Sequence, residues 1–440
     1  MEFLYLQEIV LSTLAIIKDN VSLLVIMIPL LIIIELPLIF TVLAGIITWY
    51  FRSKLRPPLK ITPSVTVGIT CYSEGDDIKK TVVTLCEQVY PGKIEIIIII
   101  DGAIQNKDTY RAAIEIQKIQ SRYKNRKIIV LPKWKRGGRV SSSNAALSMA
   151  KGELFIAVDG DSSFNNNMVY EIAKEFEDPD VPAVSGSLKV RNRDVSLITK
   201  MQAIEYMISM EGGKTGLAEW NLINNISGAF GAFRTDFVKQ IGGWDTHSGE
   251  DLDLTLRIQQ YMGRHKNIRI PFAAKAIGHT DAPTTITDIT KQRNRWDGDL
   301  IFIYFRKHRH AFSPKLLGWK RYIFTLVYGV VQNVVMPLLV IGFNFWVVSM
   351  YGFYPLLGML CLQYIAYIGM TYINFIFYLF AIADKPKNDF KMLLWIPLFP
   401  VFTLYMRGVS VFGIFNEVFR RSHEESSMAP WWVLKKSDKF

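Results

Sequence analysis

The stretch Ile94-Glu95-Ile96-Ile97-Ile98-Ile99-Ile100-Asp101 decides the fold of this chain of 440 residues. β-Branched side chains at almost every position suit a strand, and the absence of polar alternation means that both faces are buried, as in a parallel sheet covered by helices. Before it, Ser64–Cys71 is a second β-rich run, followed by Ile78, Val82, Leu85 and Val89 on one helical face. After it, Lys127–Leu131 and Leu154–Val158 read as further strands, with a helix at about Ser141–Ala150 between them. Alternating strands and helices predict a Rossmann-like α/β domain, whose ligands bind beyond the carboxyl ends of the strands. Asp101 ends the isoleucine run, and Asp159-Gly160-Asp161 ends Leu154–Val158. An isolated Asp-Gly-Asp is more often a plain turn, but its place after a buried strand favours a site. Residues two apart in extended backbone point the same way, so Asp159 and Asp161 can share one ligand. Together with a diphosphate and water they suit Mg²⁺ or Mn²⁺.

Apolar and charged residues are segregated along the chain. It is 50% hydrophobic yet carries a net charge of +12, and its mean hydropathy is +0.19. From Tyr322 to Ala383 there is no Asp, Glu, Lys or Arg. At ~20 residues per crossing, this run holds two membrane spans joined near Tyr351-Gly352-Phe353. Val21–Phe51 contains only Glu35 as a charge and, at ~46 Å if helical, reads as one tilted span kinked at Pro29 and Pro37. Residues 3–17 read as an interfacial helix. Met392–Asn416 contains only Arg407, and is either part span and part interfacial helix or one more crossing. The expected divisions are an N-terminal interfacial segment and span (1–51), a polar domain (52–284), amphipathic interface helices (285–321), C-terminal spans (322–417) and a basic tail (418–440).

Arg52, Lys54, Arg56 and Lys60 follow the first span, and Arg306, Lys307, Arg309, Lys315, Lys320 and Arg321 precede the next. By the positive-inside rule these flanks place the polar domain in the cytoplasm of a multi-pass plasma-membrane protein. The same charges attract anionic membrane lipid. No nucleic-acid reading motif accompanies them. Three cysteines without CxxC spacing exclude a disulfide framework and a zinc site.

Three further stretches carry chemistry. Ser248-Gly249-Glu250-Asp251 precedes a helix expected over Leu252–Tyr261; an acidic N-cap is the plain reading, and a carboxylate that accepts a proton is the functional one. In Lys291-Gln292-Arg293-Asn294-Arg295-Trp296, Arg295 offers a bidentate grip on phosphate and Trp296 a flat face for a sugar, although a membrane-surface helix alone would also explain them. Gly137-Gly138-Arg139 could bring backbone amides and a guanidinium to an anion. Gly212-Gly213-Lys214-Thr215 is similar to the end of a P-loop, but Ile208 stands where its first glycine is required.

In this order, the motifs resemble those of the membrane-integrated processive glycosyltransferases of family two, which include cellulose, hyaluronan, chitin-oligosaccharide and poly-N-acetylglucosamine synthases. The resemblance rests on Cys71-Tyr72-Ser73-Glu74, Asp101, Asp159-Gly160-Asp161, Ser227-Gly228-Ala229-Phe230, Gly249-Glu250-Asp251 and Gln292-Arg293-Asn294-Arg295-Trp296. It implies a GT-A (Rossmann-like) glycosyltransferase domain inserted between transmembrane helices. On this resemblance Tyr72, Glu74 and Asp101 contact the nucleotide of a UDP-sugar donor. Asp161 and Asp159 hold Mg²⁺ or Mn²⁺, Gln292 and Arg295 secure the donor, and Arg136 and Arg139 stand where a diphosphate-binding lysine is common. Asp251, beside Glu250, is the general base. Ser227, Gly228 and Trp296 bind the acceptor. The implied reaction inverts the anomeric carbon, and the membrane segments export the polymer without an obligate protein partner.

Departures from the family bear on the product. Hyaluronan synthases usually have Gly-Asp-Asp-Arg where this chain has Gly249-Glu250-Asp251-Leu252, and the acceptor loop lacks the Phe-Phe-Cys-Gly of cellulose synthases. The alternative with the same chemistry is transfer of one sugar to a membrane lipid, as in ceramide-glucosyltransferase-like enzymes. A non-catalytic secretion partner is the reading from another class, and four retained acids (Asp101, Asp159, Asp161 and Asp251) speak against it.

Overall fold

The computed structural model describes residues 2–19, 34–425 and Ala429. Pro29 and most of the basic tail lie outside the described residues. The strands are β1 (Val65–Cys71), β2 (Ile94–Asp101), β3 (Arg126–Lys133), β4 (Leu154–Asp159), β5 (Ser163–Phe164), β6 (Ala183–Val190), β7 (Phe230–Arg234) and β8 (Phe272–Thr280). The helices that matter below are α1 (Glu2–Asp19), α2 (Leu36–Lys54), α3 (Asp77–Cys86), α4 (Gly138–Met149), α5 (Lys214–Glu219), α6 (Glu250–Arg264), α7 (Ile286–Ile301), α8 (Phe353–Ala381) and α9 (Phe399–Arg420).

The eight strands form one sheet in the order β3-β2-β1-β4-β7-β6-β8-β5. β3, β2, β1 and β4 are parallel, as the alternating pattern requires, whereas β7 runs antiparallel to both β4 and β6. The sheet is therefore mixed rather than wholly parallel. All six isoleucines of β2 are within 1% of complete burial, which at roughly 1.5–3 kcal/mol each makes this strand the main apolar investment of the domain. Helix α3 buries Ile78, Val82 and Leu85 but ends at Cys86. Val89, expected on the same face, falls past that end and is exposed.

Around the domain, four helices are long and apolar enough to cross a membrane: Leu36–Lys54, Trp319–Tyr351, Phe353–Ala381 and Pro386–Arg420. Helix α2 joins the domain through glycines. A Cβ on Gly45 would lie 2.1 Å from the carbonyl oxygen of Gly216 on α5, so the two backbones touch. Arg52 pairs with Glu219, and the indole of Trp220 donates to the Thr41 carbonyl at 2.8 Å. Helix α1 lies along α8 rather than apart from the other apolar helices.

The last helical pair enters and leaves against the same domain. At its start Asp389 meets Arg193 at 2.9 Å, and Tyr378 of α8 donates to Asp389 at 3.0 Å. The chain then follows α8 away from the domain, with Tyr372 donating to the Leu393 carbonyl (3.3 Å) and Tyr364 to that of Pro397 (3.0 Å). From Tyr378 to Tyr364 is ~21 Å along a helix axis. Beyond Pro397 and Pro400 the chain returns as α9, which packs along α7: Tyr405 against Thr290 (2.9 Å), and Gly413 where an added Cβ would be 3.3 Å from the Asn294 Cα. Its end is held by Glu417, which meets Arg306 at 3.3 Å and accepts from the His423 amide at 2.9 Å. Both ends of this path therefore lie against the domain.

Candidate active site

The carboxyl ends of β1, β2 and β4 deliver Tyr72, Asp101 and Asp159 to one edge of the sheet. Asp101 is almost fully buried and accepts from Gly137 N (2.9 Å), Gly138 N (2.8 Å) and Lys133 Nζ (2.7 Å). The amide pair at Gly137-Gly138 was expected to meet an anion, and the anion it meets is the chain's own Asp101. Tyr72 is half-exposed, with the Arg136 guanidinium 3.8 Å from its ring centroid, so the two form a flat cationic surface at the rim.

Asp159 and Asp161 differ in their surroundings. Asp159 pairs with Arg139 at 2.7 Å. Asp161 keeps a buried Oδ1 without a hydrogen bond, and Glu74 likewise keeps a buried Oε2. Burial first, and then repulsion between these acids, pushes Asp161 up to about 6 and Glu74 up to about 7. Orphaned carboxylate oxygens that repel one another suit a missing cation. Among the described residues no three His, Cys, Asp or Glu side chains converge on one point, so a cation at Asp159 and Asp161 would draw its remaining ligands from substrate and water.

Opposite the Asp-Gly-Asp turn stands the start of α6. Its N-cap is Gly249, at φ +61°, with no side-chain cap, so Glu250 and Asp251 are helical residues and not the caps that the plain reading expected. Asp251 Oδ2 accepts from the Gly228 amide at 3.0 Å and from Asn225 Nδ2 at 3.2 Å. The loop carrying Asn225 and Gly228 and the Asp251 carboxylate are thus one hydrogen-bonded unit. A Cβ at Gly228 would crowd Glu250 at 3.1 Å and Asp251 at 3.3 Å. Arg139 bridges both sides of the cleft: besides Asp159 it meets Glu250 at 3.0 Å and donates to the Gly228 carbonyl at 2.5 Å. Burial lifts Glu250 to about 7, and the Arg139 guanidinium opposes that rise.

Helix α7 closes the cleft. Asp299, one turn after Arg295, accepts a hydrogen bond from Ser248, and a Cβ on Gly249 would come within 3.1 Å of the Asp299 Cβ. Farther along, Lys307 and His308 hold the buried Asp253 at 2.8 and 2.7 Å, and Arg257 holds it at 2.9 Å. Asp253 therefore fastens α6 to the segment after α7 and is not a member of the cleft. Trp296 is partly buried, and one face is taken by the Arg293 guanidinium at 4.6 Å, itself paired with Glu205. Gln292 retains a buried, unpaired Oε1. The Ser227 carbonyl accepts from the Phe230 amide at 3.1 Å, which turns this loop into β7.

Residues 66–242 match the model of the family described as glycosyl transferase family 2. The domain belongs to that family. Poly-beta-1,6-N-acetyl-D-glucosamine synthases of Staphylococcus aureus are 29% identical over 264 residues, covering 58% of this chain and 60% of theirs. The match thus spans about 60% of the length of those relatives. The synthase of that name from Staphylococcus epidermidis is 24% identical over 371 residues, 82% of this chain and 85% of its own. A mannosyltransferase of Pyrobaculum calidifontis, solved in complex with GDP-Man and Mn²⁺, superposes with a TM-score of 0.53 over 87% of this chain and 99% of its own. At 16% identity that likeness concerns the GT-A fold.

Sequence reasoning missed three residues that this family 2 domain brings to its cleft: Asn225, Asp299 and Lys214. Asn225 lies two residues before Ser227 and Asp299 one turn past Arg295, so proximity to the motifs is a usable signal. Lys214 lies in the Gly-Gly-Lys-Thr stretch that fails as a P-loop, and nothing local connects it to Asp251.

Proposed function

We propose that this protein is an inverting, divalent-cation-dependent polysaccharide synthase that transfers sugar from a UDP-sugar to the end of a growing chain at the cytoplasmic face of the plasma membrane. The observation that carries the reading is the hydrogen-bonded unit of Asp251, Gly228 and Asn225 facing Asp159 and Asp161 across a cleft closed by the Gln292–Trp296 helix. The names of the staphylococcal relatives make UDP-N-acetylglucosamine the donor to test first.

In this reading Tyr72 and Arg136 lie against the nucleotide at the rim, while Asp101 orients the Gly137-Gly138 loop beneath it. Asp159 and Asp161 hold the cation, which when bound neutralises charge on the donor diphosphate. Arg139 and Arg295 add positive charge where the leaving diphosphate develops its own. Asp251 accepts the proton of the acceptor hydroxyl, and its two donors, Gly228 and Asn225, fix the carboxylate's direction. Glu250 acts through Arg139, and Trp296 lines the acceptor side. The membrane helices carry the product outwards. Transfer of one sugar to a membrane lipid is the second reading. The cavity of about 580 Å³ among the apolar helices favours it, because Leu36, Met336, Phe343, Leu360 and Leu404 line it as a lipid chain requires.

The test is purified protein in detergent with UDP-N-acetylglucosamine and Mg²⁺ or Mn²⁺, following UDP release beside Asp251→Asn. A general base contributes ~10²–10⁴-fold, so the variant is expected to lose at least a hundredfold in kcat. Release at an equal rate in the variant would sink the role of Asp251, and product size separates polymer from glycolipid.

A further inference from the structure

Lys214 opens the short helix α5, directly after a π-helical stretch, Tyr206–Gly213. π-Helical turns inside helices are often retained where a side chain must be aimed for function. The residue is 8% exposed. Among the described residues its ammonium makes no hydrogen bond and no ion pair, and the charge that acts on it is the Asp251 carboxylate. Burial lowers its pKa to about 8, so at neutral pH it is still mostly an ammonium ion. Its Nζ is not among the polar atoms sealed from solvent without a partner, so the ammonium of this otherwise buried side chain opens onto accessible space. The surrounding chain nevertheless holds it firmly: Thr215 donates to the Glu211 carbonyl at 2.6 Å, and Gly216 is pressed against Gly45 of α2. A cation held near the Asp251 carboxylate and open to accessible space is placed to meet the acceptor oxygens of a ligand.

We infer that Lys214 is an acceptor-binding residue: its ammonium takes the oxygen atoms next to the reacting hydroxyl on the terminal acceptor sugar and holds that hydroxyl at Asp251. The ligand class is a carbohydrate end presenting at least one hydroxyl or amide-carbonyl oxygen beside the attacking group. The inference rests on the transferase reading above and adds to it the residue that recognises the acceptor. It also places acceptor recognition on the helix in backbone contact with the first membrane helix, so the acceptor end lies where the domain meets the bilayer.

The experiment uses the full chain in detergent with UDP-N-acetylglucosamine as donor and N-acetylglucosamine oligosaccharides as acceptors, comparing wild type, Lys214→Met and Lys214→Arg. Lys214→Met is expected to raise the acceptor KM at least tenfold, to leave the donor KM within about threefold, and to leave Tm unchanged or higher, because an apolar isostere replaces an unpaired buried charge. Lys214→Arg, which keeps the charge, is expected to recover part of the acceptor affinity. An acceptor KM within twofold of wild type in Lys214→Met would overturn the assignment. So would a lowered Tm with donor and acceptor KM raised together, since that pattern belongs to a structural residue. UDP release by wild type is the separate control: its absence with every donor would count against the transferase reading, whatever the variants do.

Discussion

Ser248 and Asp299 join the helix that carries Asp251 to the helix that carries Arg295 and Trp296, and removing that junction is the sharpest test of how the cleft is assembled. The hydroxyl of Ser248 donates to a buried carboxylate. A hydrogen bond to a charged group is worth roughly 1.5–3 kcal/mol, and ~1.4 kcal/mol is a factor of ten in rate. If the junction serves mainly to align Asp251 with the donor groups on α7, Ser248→Ala loses about 10- to 100-fold in kcat with little change in donor KM. Burial, the largest influence, raises Asp299 to about 7, with the Ser248 hydrogen bond and Arg295 opposing the rise. Raised in the folded state, this acid contributes stability that is fully present below its ordinary value, near 3.8, and is lost as pH climbs through 7. Wild type is therefore expected to melt higher relative to Asp299→Asn at pH 5 than at pH 8. Initial rates of UDP release and thermal melts at the two pH values measure both effects. A Ser248→Ala enzyme with kcat within twofold of wild type would refute the argument, because two helices joined only by incidental contact would stay aligned without the bond.

Other substitutions probe the frame around the cleft. Asp253→Asn leaves Arg257, Lys307 and His308 without their buried counterion; breaking such a set costs about 3–5 kcal/mol, and a clear drop in Tm is expected. Arg139→Met separates Asp159 from Glu250, so Glu250, already at about 7, moves higher still; donor KM should rise at least tenfold in the nucleotide-release assay. Gly45→Leu forces side-chain atoms into the Gly216 backbone, and the expected result is loss of folded protein on size-exclusion chromatography, with Gly342→Leu, which meets open space, as the tolerated control.

How much of this was legible beforehand depends on the range of the interaction. The β2 isoleucines, the Asp-Gly-Asp turn after β4 and the apolar segments declare themselves locally, since burial on both faces or immersion in lipid is written residue by residue. The mixed sheet is different. β7 is five residues, Phe230–Arg234, and nothing in them distinguishes antiparallel from parallel pairing with β4. The expected anion site at Gly137-Gly138 was chemically right, yet its anion is Asp101, 36 residues earlier in the chain. Asp253, two residues after Asp251, carries no local sign of its fastening role, because its partners, Lys307 and His308, lie more than 50 residues away. Lys214 was set aside because a motif failed, while its burial beside Asp251 follows from tertiary packing that no window of sequence contains.

The hairpin of residues 386–420 has a consequence for sidedness. A segment whose two ends, at Asp389 and Glu417, pair with Arg193 and Arg306 can turn back without adding a crossing, however apolar it is. In that reading two crossings follow the domain, Trp319–Tyr351 and Phe353–Ala381, an even number, and Arg420 and Arg421 stay on the domain's own side. Hydropathy alone would count four and place those arginines on the far side. Gly413 of the hairpin rests on Asn294, so the hairpin is packed directly on the helix bearing Gln292, Arg295 and Trp296.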